Sequence, residues 1–144
     1  MEKIVYVGWK PDGRALADFR TALLGDTARA LLASGARGLT VLLADEQAVQ
    51  GLRIAQRDPT VVVSMWVDTA LQRAPLEGQL DRVMTRVAGY LVLESVPVVN
   101  TQHVVPLGER VPGLYNVAFL EKPDRLDYDT WLAHWQGEHT TTAI

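Results

Sequence analysis

Two histidines, two tryptophans and a tyrosine fall within the twelve residues Tyr128-Asp-Thr-Trp131-Leu-Ala-His134-Trp135-Gln-Gly-Glu-His139. Imidazole is the side chain best suited to exchanging a proton near neutral pH. In a regular helix each residue advances about 100°, so Trp135 falls about 40°, Tyr128 about 60° and His139 about 80° from Trp131. Tyr128, Trp131 and Trp135 would then form one stripe ending on His139. An apolar wall that ends in one titratable group suits a small-molecule pocket, with His139 as general base. The same pattern also fits a core helix capped by a histidine. His134 and His139 diverge by about 140°, too far to share a metal ion on a regular helix. His134 is expected to face solvent or a partner. Glu138, about 100° from His139, is a weak orienter of the imidazole.

Three further aromatic residues, Tyr6, Trp66 and Tyr90, fall on predicted strands, where they could line an open sheet face or simply pack. Tyr6 and Tyr90 carry hydroxyls that need partners if buried. The chain has 144 residues, 48% apolar and 22% charged, with a net charge of −3 and a pI near 5.5. There is no basic block, so binding to nucleic acid through phosphate neutralisation is not expected. There is no cysteine, which removes disulfides, thiolate chemistry and cysteine-ligated metals. No G-x-x-x-x-G-K, G-x-G-x-x-G or G-x-S-x-G occurs, so neither a nucleotide cofactor nor a serine triad is expected; no metal is expected either. No leader pattern and no apolar run of membrane-spanning length is present, and a cytoplasmic location is the expectation.

The elements that must position these residues follow from periodicity. Ile4–Trp9 reads as a strand closed by Lys10-Pro-Asp-Gly13. Residues 14–34 show helical spacing that ends at Gly35. Residues 38–43 form a second strand, and 44–59 hold at most a short helical turn. Residues 60–67 form the strongest strand, apolar on both faces and therefore central and covered on both sides. A helix is predicted over 69–87, with Leu76, Leu80, Val83, Met84 and Val87 as its buried stripe. A strand over 89–96, a linker over 100–113, a fifth strand over 114–120 and the opening helix complete the chain. The order to residue 99 is βαββαβ, a ferredoxin-like α+β arrangement whose sheet has helices on one face.

An ungapped shift of 112 (Lys122 minus Lys10) lays residues 4–31 over 116–143. Val5 meets Val117, Lys10-Pro-Asp12 meets Lys122-Pro-Asp124, and Phe19 meets Trp131. Leu23 meets Trp135, Gly25 meets Gly137, and Asp26 meets Glu138. This reads as a duplicated βα unit. The expected organisation is a ferredoxin-like repeat over 1–107 and the first strand and helix of a second, incomplete repeat over 108–144. His139 matches Thr27 and His134 matches Ala22, so the scaffold requires the apolar stripe but not the imidazoles.

Trp135-Gln-Gly-Glu-His139, following a strand, a Pro-Asp turn and Trp131, resembles the Trp-x-x-x-His signature of the EthD family. The resemblance is specific over about residues 115–143 and extends to most of the chain in layout. It implies the dimeric α+β-barrel form of the ferredoxin-like fold, with two sheets face to face and two copies in one chain. It also implies a small, largely apolar or aromatic substrate held between the sheets, for which the candidate lining residues read from the sequence are Tyr128, Trp131, Trp135, Trp66, Tyr6 and Tyr90. The chemistry implied is cofactor-free acid/base catalysis at His139, of cyclase, dehydratase or xenobiotic-degrading type. The first copy departs from the family pattern at Thr27. The alternative is a non-catalytic binding or accessory barrel that acts by assembly. The expected partners are a small apolar molecule and either a second copy of the chain or a completing second half.

Overall fold

Alternating apolar residues, many of them β-branched, build four strands in the computed structural model, which describes residues 1–44, 59–96 and 99–139. They are β1 (Glu2–Trp9), β2 (Gly38–Leu43), β3 (Val61–Val67) and β4 (Arg86–Val92). Together they form one antiparallel sheet in the order β2-β3-β1-β4. β3 is interior, as its composition predicts. The turn helical segment expected within 44–59 falls almost wholly on residues outside those described. The chain divides into two units, Met1–Glu94 and Ser95–Ile144.

Helices α1 (Leu16–Ala22) and α2 (Ala28–Ala33) run on through a π turn, Leu23–Thr27. The buried residues Phe19, Leu23, Thr27 and Leu31 are spaced by four. Each four-residue step drifts by about 40° on an α-helix, so a straight helix would carry this stripe off the sheet. A π turn takes more residues per revolution and offsets part of that drift. Gly25 lies inside the turn, and Gly35 ends the helix at φ 115°, a left-handed conformation that suits glycine.

The core lies between these helices, α3 (Ala74–Asp81) and one face of the sheet. Pairing puts Ile4, Tyr6 and Gly8 opposite Met65, Val63 and Val61, so all six share that face. Phe19, Leu23, Leu31, Leu76 and Leu80 close over it. At ~25 cal/mol per Å² of apolar surface, each large side chain buried there contributes roughly 1.5–3 kcal/mol before entropy is counted.

Two predicted elements need correcting. The helix predicted over 69–87 is a 3₁₀ turn, Ala70–Gln72, followed by α3, which ends at Asp81. Val83 and Met84 still donate backbone bonds to Leu80 O, each at 3.0 Å, but Thr85 N has already turned to Trp9 O at 3.1 Å. The sheet captures the chain there, and β4 begins at Arg86 rather than Gly89. Apolar residues at 80, 83, 84 and 87 fit a helix in sequence, although Val87 belongs to a strand. The strand predicted over 114–120 is also not formed: those residues make no ladder. A strand exists only through its neighbours. β1 has a partner on each side, while 114–120 has none among the described residues, and Leu114, Tyr115 and Phe119 stay exposed.

In the second unit, α4 (Tyr128–His134) leads into a π turn, Trp135–His139. These boundaries lie 112 residues beyond those of α1 and its π turn (128 − 16). The entry turns correspond at the same offset. Lys10 Nζ donates to Pro11 O at 3.0 Å and Arg14 O at 2.6 Å, and Lys122 Nζ donates to Pro123 O at 3.2 Å and Leu126 O at 2.6 Å. No helix among the described residues is long and apolar enough to cross a membrane.

Candidate functional site

The sheet has a second face, opposite the core. Register assigns it Lys3, Val5, Val7 and Trp9 from β1, Val62, Ser64 and Trp66 from β3, and Thr40 and Leu42 from β2. β4 adds Arg86, Ala88, Tyr90 and Val92. Its centre is buried at Val7 and Val62, and its margins are exposed at Thr40 and Tyr90. Cations lie over aromatic rings toward both ends. Lys3 Nζ is 5.5 Å from the Trp66 ring centre, and Arg86 Cζ is 4.6 Å from that of Trp9. Lys3 is also ion-paired to Glu94. Valine methyls and indole rings are chemistry that suits a flat apolar molecule, and Val7 and Val62 at the centre are already covered within the chain.

Trp66 and Tyr90 lie on this face. Tyr6 does not, because it shares the parity of Ile4 and Gly8 and points into the core at 1% exposure. Strand parity alone relates residues within one strand; only the register relates Tyr6 to Trp66.

Tyr6 instead belongs to a cleft of about 280 Å³ lined by Tyr6, Glu77, Asp81, Val87 and Gly89. Its hydroxyl donates to Glu77 Oε1 at 3.2 Å, and Arg73 Nε donates to the same oxygen at 3.0 Å. Burial, then the Glu77 charge and hydrogen bond, push the Tyr6 hydroxyl well above the ordinary tyrosine range. A Cβ on Gly89 would come within 2.6 Å of Tyr6 Cε1, so only glycine leaves room for the ring. Glu77, Asp81 and Gly89 went unnoticed in the sequence because they meet Tyr6 only through tertiary packing.

In α4, Asp127 caps the helix: its Oδ1 accepts from Thr130 N at 2.8 Å and its Oδ2 from Thr130 Oγ1 at 2.6 Å. Those bonds hold the Asp127 carboxyl below the usual carboxylate range. The Tyr128 and Trp131 rings meet with centroids 6.0 Å apart and planes tilted by 47°. Trp131 is half-buried, whereas Tyr128 is 60% and Trp135 37% exposed. His134 Nδ1 lies 2.8 Å from Glu138 Oε2, one helical turn on. The π turn also changes the projection: steps of 100° do not hold across 135–139. His139 closes that turn, and its side chain lies outside the described residues. In the first unit the corresponding position, Thr27, is buried on the stripe with Phe19 and Leu23.

Among the described residues, no group of three or more His, Asp or Glu is arranged to hold a metal ion. No protein-family model matches the sequence, and no curated protein matches it either.

Proposed function

We propose that this chain is an EthD-like protein of the dimeric α+β-barrel type, binding a small, largely apolar or aromatic molecule on the second face of its sheet. The observation that carries the reading is that the first unit presents an apolar sheet face with Trp66 and Tyr90 on it, beside a βα unit whose turn and helix recur 112 residues later. The order βαββαβ with strands arranged β2-β3-β1-β4 supports a ferredoxin-like first repeat. At the repeat offset, Val5 and Val7 correspond to Val117 and Phe119, which are exposed and outside any ladder among the described residues; only pairing with a strand of another copy or a completing half would give them an apolar face of the same parity. Two such faces opposed would enclose the ligand and exclude water.

His139 is the proposed general base. What supports the role is the Trp-x-x-x-His pattern of Trp135-Gln-Gly-Glu-His139 and the repeat, which aligns His139 with Thr27, so the scaffold itself does not require an imidazole at that position. Turnover of aromatic and polyketide-type compounds by the natural protein is compared with that of His139→Ala. Lost turnover with an unchanged unfolding midpoint supports the role; unchanged turnover removes His139 from the mechanism.

The exposed run Leu114–Leu120 favours a second reading, a non-catalytic barrel that acts by assembly with another copy or a completing half. Light scattering after size exclusion tests it, and a stable monomer with 114–120 fully exchangeable counts against it.

A further inference from the structure

We propose that the ligand of the second sheet face is a neutral aromatic bearing a hydroxyl or carbonyl group, which Ser64 and Thr40 select by hydrogen bonding. This rests on the binding reading above and narrows it. Register places Thr40, Ser64, Val5 and Tyr90 opposite one another in one row across all four strands. The covered residues Val7 and Val62 belong to the next row. This row stays open: Thr40 and Tyr90 are exposed, and Ser64 and Val5 are half-buried. Trp66 borders it, two residues beyond Ser64. A Cβ on Gly38 would lie 3.4 Å from Trp66 Cδ1, so the indole lies beside Gly38 in its own row. It forms a wall to a floor of three short side chains, Thr40, Ser64 and Val5. At the usual strand spacing that floor is about 10 Å across.

Ser64 is the feature that apolar contact alone leaves unexplained. It interrupts Val61-Val-Val63 and Met65-Trp-Val67 on an interior strand. Opposed Thr and Ser side chains commonly bond each other across strands. Here none of the Thr40, Ser64 and Tyr90 hydroxyls makes a hydrogen bond among the described residues. A hydroxyl both donates and accepts, so Ser64 and Thr40 match either a phenol or an aryl ketone. Lys3, in the row of Trp66, is ion-paired to Glu94, so its charge is already compensated. A charged ligand would find no counter-charge in the row. A bare hydrocarbon would strip water from Ser64 and return no hydrogen bond.

The test is a titration of the labelled protein with 1-naphthol and with naphthalene, followed at the Trp66 indole N–H. Ser64→Ala should weaken 1-naphthol about five- to tenfold, the effect of one lost hydrogen bond, and leave naphthalene within about twofold. Thr40→Val, which removes a hydroxyl at similar shape, should act in the same direction. If both variants bind 1-naphthol as tightly as the unaltered chain, the face still binds but this selection is overturned. Equal losses for the two compounds overturn it as well, because they mark a packing effect. If neither compound moves Trp66 in the unaltered chain, the binding reading itself fails and the inference falls with it.

Discussion

Gly89→Ala tests how tightly the core is built around Tyr6. The added Cβ would lie 2.6 Å from Tyr6 Cε1 and 3.0 Å from Cδ1. Tyr6 is 1% exposed, so its ring has nowhere to retreat without moving Glu77 or the core residues beneath it. Overpacking of this kind costs about 1–3 kcal/mol. Alanine recovers about 0.4–1 kcal/mol by restricting the unfolded chain. The net loss is therefore about 1–2 kcal/mol, which in a domain of this size lowers the midpoint by roughly 5–15 °C. Unfolding in heat and in urea, followed by far-UV circular dichroism, measures it. The same change made in a Tyr6→Leu background should cost little, giving a coupling of about 1–2 kcal/mol between the two sites. Gly89→Ala within ~0.5 kcal/mol of the unaltered chain in both backgrounds would refute the packing argument.

Phe19→Ala, at a fully buried position, should cost about 3–5 kcal/mol in urea unfolding. Trp131→Ala, at the corresponding but only half-buried position, should cost clearly less. The Tyr6 hydroxyl is held protonated in the fold, so stability is fully present below the ordinary tyrosine pKa and declines as pH rises beyond it. An alkaline ultraviolet titration should show one of the four tyrosines ionising late, and Tyr6→Phe should remove that late step. The Asp127 carboxyl is depressed by its bonds to Thr130, so capping is present above the usual carboxylate range and is lost as pH falls through the lowered value. Hydrogen exchange at Thr130 and Trp131 should quicken over that acidic window, and Asp127→Ala should quicken it at all pH values.

Much of the first unit was legible because its signals are local. The β-branched run at 61–67 and the turn at Lys10-Pro-Asp-Gly13 specify their elements without help from distant residues. The duplicated turn was legible as Lys-Pro-Asp at a fixed offset, and the lysine bonds to two carbonyls give that repetition a physical cause. Boundaries failed where tertiary pairing decided them: Thr85 turns to Trp9 O, ending a pattern that still reads as helical. Residues 114–120 failed for the converse reason, since strand propensity without a neighbouring strand makes no ladder. At the candidate sites, register puts Trp66 and Tyr90 on one face of the sheet. Tyr6 was misplaced because parity between strands depends on register, which the sequence does not print. The π turns were invisible to a fixed 100° projection and altered the expected Trp135–His139 relationship.

The most direct test of the binding reading is a shift map of the labelled protein titrated with 1-naphthol. A ligand on the second sheet face predicts saturable shifts at the Val5, Val7 and Val62 methyls and the Trp66 indole N–H, with Ile4, Val61 and Val63 unmoved. Shifts confined to the helix-covered residues, or no saturable shift at Trp66, would contradict it.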